Sequence, residues 1–143
     1  MVPLASELEN REEDFGKVKA ALVSHQFSLG GNWEYDHGSF DRFLDEGHKV
    51  WLRLPFKVTR GHLDGEIVNE DTFIRMGTPF VLKHIYNEGL DGEAQIRTLG
   101  GLVDQFQEPV DKDAEIEQKW VDQANLVLQD VEMGLRYVES LKN

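Results

Sequence analysis

Cysteine is absent from this 143-residue chain. No disulfide framework and no thiolate metal site can therefore form. A chain without disulfides suits a reducing compartment, so a soluble cytoplasmic protein is the expectation. Long apolar runs are missing too. None approaches the ~20 residues needed to span a bilayer, and the first residues carry no basic-then-apolar leader. Positive charge is scarce: 15 Lys and Arg stand against 27 Asp and Glu, a formal net charge of −12. Such a surface repels nucleic acid and anionic lipid, and no basic cluster in the sequence overrides it. Neither a nucleic-acid nor a membrane partner is expected.

Chemical signatures are also missing. There is no GxGxxG or GxxxxGK[ST] phosphate loop, no GxSxG nucleophile elbow and no HExxH. Many active sites carry no local signature, so these absences lean against an enzyme without closing the question. No catalytic residue, no cofactor and no metal site is assigned. His62, Asp64 and Glu66 alternate and would face one way in a strand, as metal ligands do. However, Asp64-Gly65 is a turn dipeptide that scatters them into a solvated loop.

What is present is mostly core and one long helix. Eight Phe and three Trp in a 40% hydrophobic chain supply a single core, and 143 residues make one domain. From Asp113 to Leu141 apolar side chains recur at Ile116, Trp120, Ala124, Val127, Val131, Leu135 and Val138, one face of a 3.6-residue period. A second row adds Val121 and Leu128. Together they make a stripe too broad for a coiled-coil seam and suited to cover a sheet. Asp113 is the expected N-cap. The helix would be roughly 40 Å long, close to the ~37 Å diameter of a domain this size. Gly134 is its expected weak point.

A first helix is expected over Arg11–His25, capped by Asn10, with Phe15, Val18 and Leu22 inward. Between the helices lie short segments with period-two alternation. They are Trp33–His37, Phe40–Leu44, Lys49–Thr59, Ile67-Val68, Phe73–Met76 and Phe80–Tyr86, with Glu93–Leu99 and Leu102–Gln107 as a hairpin around Gly100-Gly101. Asp45-Glu46-Gly47-His48 reads as a turn in which Gly47 supplies the positive φ. Pro55 cannot donate to a ladder and argues for an edge or a bulge in its strand. Phe80–Tyr86, apolar on both faces, reads as central. The implied fold is α+β: an antiparallel meandering sheet packed by an N-terminal helix and a long C-terminal helix, in one domain spanning 1–143.

If both helices cover one face of the sheet, alternation gathers a set of polar aromatics on the other. Trp33 and Tyr35, Trp51 and Arg53, and His84 and Tyr86 share faces of three strands. Arg53 would hold an anionic group and His84 would exchange a proton. The plainer reading leaves some of these side chains in the helix-covered core.

The stretch Gly31-Asn32-Trp33-Glu34-Tyr35-Asp36 with Ser39-Phe40-Asp41 resembles the YugN-like family of small proteins from Bacillus-type bacteria. So do Val50-Trp51-Leu52-Arg53-Leu54-Pro55 and the run from Met76 to His84. The resemblance implies a compact α+β fold of uncharacterised function without assigned catalytic residues, so no functional residue carries over. Two functions follow as expectations. The first is a non-catalytic domain acting through protein contacts, as a homodimer. The second is a small-ligand-binding domain or enzyme using the six residues above.

Overall fold

In a computed structural model, residues 1–31, 33–63, 71–84 and 115–141 are described, with side chains as far as Arg136. These residues form seven strands and two helices. In chain order they are β1 (Val2–Pro3), β2 (Glu12–Asp14), α1 (Phe15–Ser24), β3 (Ser28–Leu29), β4 (His37–Phe43), β5 (Val50–Arg60), β6 (Phe73–Met76), β7 (Phe80–Lys83) and α2 (Gln118–Leu141). All strand pairs are antiparallel, and the architecture is α+β. The segments expected at Ile67-Val68, Glu93–Leu99 and Leu102–Gln107, and the cap at Asp113, lie outside the described residues.

β5 is the spine of the sheet. On one side it pairs along its length with β4, which pairs in turn with β3. On the other side its first half pairs with β7 and its second half with β6. β7 and β6 are backed by β1 and β2. Pro55 therefore sits in a central strand, not at an edge. It is tolerated because the neighbouring chain leaves the ladder there. Arg53 pairs with Phe80 and Phe56 with Met76, so three residues, Gly77 to Pro79, oppose two. The Gly77 N–H still donates to the Pro55 carbonyl at 2.8 Å. The two backbone groups of one residue point to the same side of an antiparallel strand. The N–H that proline lacks thus falls at this irregularity, the bulge its sequence implied.

Alternation along β5 sorts its side chains as expected. Val50, Leu52, Leu54 and Phe56 are buried, while Trp51, Arg53, Pro55 and Lys57 face the other way. The buried row meets Phe15, Val18 and Leu22 of α1 and Ala124, Val127, Leu128, Val131 and Leu135 of α2 in one core. Both helices thus lie on one face. Phe15, Phe40 and Phe56 pack as a triangle of rings, with centroids 5.2 to 5.9 Å apart.

Helix boundaries differ from expectation for local reasons. α1 starts at Phe15, because residues 12–14 are taken by pairing with β6. Asp14 is the cap, accepting from the Lys17 N–H at 3.1 Å. Asn10 instead adopts φ +68°, a left-handed conformation that asparagine tolerates. At the other end of α1, Arg42 donates to the His25 carbonyl at 3.0 Å, placing a cation at the helix C-terminus. α2 runs unbroken through Gly134. A Cβ there would lie 3.3 Å from His25 Nε2, at the end of a side chain, so Gly134 lies where α1 and α2 approach closely and makes no kink. The N-terminal segment is tied to α2 by Ser6 Oγ donating to Glu132 at 2.6 Å and by an Arg136–Glu7 ion pair at 2.8 Å.

The turn after β4 is held by the Asp45 carboxylate, which accepts from the Lys49 and Val50 N–H groups at 2.8 and 2.9 Å. Its left-handed residue is His48, φ +56°, and not Gly47. That twist brings the His48 ring onto Phe43, on the sheet face opposite α1 and α2.

Candidate functional site

The register defines, row by row, the sheet face opposite α1 and α2. Phe43, Trp51 and Leu82 lie side by side at one end of the sheet, followed by Asp41, Arg53 and Phe80. Ser39 and Pro55 come next, then His37, Lys57, Arg75 and Glu12. Directly opposite side chains in such rows stand about 5 Å apart.

The first rows carry a cluster of rings. Trp51 meets His84 edge-on at 5.7 Å and Phe43 edge-on at 5.8 Å. His48 stacks on Phe43 at 3.8 Å, and the Trp51 indole N–H donates to the His48 carbonyl at 2.7 Å. Leu82 and His84 are buried, at 0% and 4% exposure, while Phe43 is 45% exposed. His84 extends the ladder through its N–H, which donates to the Lys49 carbonyl. β7 is an inner strand, paired with β1 on one side and β5 on the other, as its two apolar faces imply.

Beside the rings, Arg53 grips Asp41 with two hydrogen bonds, Nε to Oδ1 at 3.0 Å and Nη2 to Oδ2 at 3.1 Å. The carboxylate is 9% exposed and the guanidinium side chain 22%. The edge of the fork best shaped for a planar anion is thus filled from within the protein.

Of the six residues expected to share a surface, Trp51, Arg53 and His84 come together. Trp33 and Tyr35 do not join them. Their segment is a turn closed by an isolated bridge between Glu34 and His37, not a strand. It sits beyond the His37–Lys57 row, four residues along β5 from Arg53, or roughly 13 Å. There Tyr35, 66% exposed, stacks on His62 at 5.1 Å. The alternation of Trp33, Tyr35 and His37 mimicked a strand, but Tyr35 and Asp36 form the turn into β4. Tyr86 lies outside the described residues, as do Asp64 and Glu66. Among the described residues no three His, Asp or Glu side chains gather as a metal-binding group, and no helix is long and apolar enough to cross a membrane.

Phe43, His48 and Asp41 were not singled out in the sequence. Phe43 has the period-two signal of its strand, but nothing local announces that His48 will turn back over it. A second feature was also missed. At the far end of the same face a groove of about 510 Å³ opens between β5 and β6, lined by Asn10, His37, Pro55, Lys57, Arg75 and Gly77 among others.

Comparison with known proteins agrees with this architecture. The model of the YugN-like family matches residues 3–135. The "Uncharacterized protein YugN" of Bacillus subtilis (strain 168) is 29% identical over 134 residues, covering 92% of this chain and 96% of that protein. The crystal structure of the uncharacterized conserved protein YugN from Geobacillus kaustophilus HTA426 superposes with a TM-score of 0.69 at 18% identity, over 98% of this chain and 99% of that one. At that identity the likeness concerns the fold.

Proposed function

Since the chain belongs to the YugN-like family, we propose a function from its own surface. It is a non-catalytic cytoplasmic domain that works through protein contact, and it pairs with a second copy of itself through the ring cluster on the sheet face opposite α1 and α2. The observation that carries this reading is Phe43, a large apolar ring 45% exposed within a patch of Trp51, His48 and His84. Exposed aromatics of this kind are enriched at the centres of protein interfaces.

Charge argues for a second copy meeting at this place. Two copies of net charge −12 repel over most of their surfaces. Contact between them favours a patch without net charge. Here the rings are uncharged, apart from histidine protonation, and Arg53 and Asp41 cancel each other. A twofold interface also brings the same patch from both sides, so stacking rings meet rings. The small-molecule alternative on the same six residues is weaker. Arg53 already has a carboxylate, and Trp33 and Tyr35 stand apart.

Sedimentation equilibrium over a concentration series tests the proposal. The wild-type chain should associate to a dimer. Phe43→Asp should raise the dissociation constant at least ~10-fold, as loss of an interface anchor does, while leaving the melting temperature of the monomer within a few degrees. A wild-type chain that stays monomeric at the highest concentration refutes the dimer. A Phe43→Asp variant that pairs as the wild type does refutes the surface.

A further inference from the structure

We propose that the groove between β5 and β6 binds a small organic anion, a carboxylate or phosphate carried on an apolar body. This site is separate from the ring cluster and does not rest on the dimer. Its walls come from residues far apart in sequence. Register sets His37, Lys57 and Arg75 in one lateral row across β4, β5 and β6. Like charges directly opposite one another are unfavourable in a sheet. This chain, with 27 acidic residues available, nevertheless places three basic types together.

Neutralisation within the row is incomplete. Glu12 is the next residue in the row, but its carboxylate is 3.9 Å from Arg75, at the far limit of an ion pair. Asp36 reaches His37 at 2.8 Å. Lys57 makes no ion pair among the described residues and is exposed. Arg75 is held in place, because its Nη1 donates to the Asn10 carbonyl at 2.7 Å. That carbonyl belongs to the residue with φ +68°. A fixed guanidinium beside a mobile ammonium gives an anion one preorganised and one adaptable donor.

The groove below the row is apolar. Pro55, Gly38 and Gly77, with the Phe56 and Met76 segments, complete its lining. Gly77 keeps it open, since a Cβ there would come 3.3 Å from Pro55 Cγ. The bulge that accommodates Pro55 in a central strand therefore also makes the hollow. A volume of about 510 Å³ lies within the usual ~300–1,000 Å³ range of small-molecule sites. Apolar lining and cationic rim together select a ligand with both characters. Inorganic phosphate alone would use only the rim.

The test uses the full chain, isotope-labelled, titrated with phenyl phosphate, benzoate, inorganic phosphate and benzyl alcohol while backbone amide resonances are followed. Phenyl phosphate or benzoate should saturate, moving resonances of residues 37–38, 56–57 and 75–77, and whichever binds more tightly names the head group. Benzyl alcohol and inorganic phosphate should each bind about tenfold more weakly, since each lacks one of the two contacts. Lys57→Gln should weaken the aromatic anion about tenfold and leave benzyl alcohol unchanged, and Lys57→Arg should restore binding. Lys57 is exposed, so the glutamine variant should melt no lower than the wild type. Equal binding of benzyl alcohol and the anions, shifts scattered over the surface, or an indifferent Lys57→Gln would each overturn the site. A monomeric protein that still binds phenyl phosphate in the groove would overturn the dimer and leave this inference standing.

Discussion

Removing the two halves of the Arg53–Asp41 pair one at a time should cost unequal amounts. Arg53→Met keeps the aliphatic stem but leaves a carboxylate that is 9% exposed without its two guanidinium donors. Asp41→Asn leaves a guanidinium that is 22% exposed and can still turn a donor towards water. Breaking a fully buried pair costs about 3–5 kcal/mol, and an exposed pair is worth about 0.2–1 kcal/mol. The geometry here lies between, so we expect about 3 kcal/mol for Arg53→Met and about 1.5 kcal/mol for Asp41→Asn. The double variant leaves no charge stranded and should cost about 2 kcal/mol, giving a coupling near 2.5 kcal/mol. Urea unfolding followed by tryptophan fluorescence measures all four proteins, and Trp51 in the neighbouring row is a local reporter. The samples should be dilute enough to be monomeric, because pairing would add its own stability. Salt at ~1 M should change the coupling little, as screening acts mainly on exposed charges. Two single variants each costing under ~0.5 kcal/mol would refute the reasoning, for the pair would then behave as a surface ion pair. A larger cost for Asp41→Asn than for Arg53→Met would refute the assignment of the carboxylate as the more desolvated partner.

Three other substitutions test local claims. Gly134→Ala should stabilise the protein by up to ~1 kcal/mol through helix propensity, because the atom its Cβ meets is the movable ring end of His25; a loss above ~1 kcal/mol would show instead that the α1–α2 approach cannot give. Asp14→Ala should cost about 1 kcal/mol by uncapping α1, seen as a drop in the urea midpoint at unchanged slope. Asp45→Ala should cost about 2 kcal/mol, since one carboxylate holds two N–H groups of the β4–β5 turn, and it should also alter Trp51 fluorescence by freeing His48.

Local pattern was enough to find the layers. The 3.6-residue rows of α1 and α2 and the two-residue alternation of β5 depend only on which side chains avoid water, and the faces they define are those seen in the core. Short segments were less legible. Trp33–His37 alternates like a strand, but Glu34 and His37 bridge across a tight turn. The start of α1 was misplaced because residues 12–14 are claimed by β6, sixty residues away in sequence. Propensity has no knowledge of such a partner.

The ring cluster and the groove depend on contacts no single segment contains. Trp51 and Arg53 could be assigned to one face of one strand from alternation alone. That Arg53 would meet Asp41, and that Trp51 would meet Phe43 on one side and His84 on the other, follows from the pairing of β5 with β4 and β7. Lys57 and Arg75 are unremarkable in sequence and become a charged row only through the register of β5 and β6. Composition and periodicity determined the class of fold, the core and the net acidity, because these depend on solvent and on near neighbours. Strand order and register decided which polar side chains stand side by side, because that choice is made across the sheet by hydrogen bonds between segments remote in the chain.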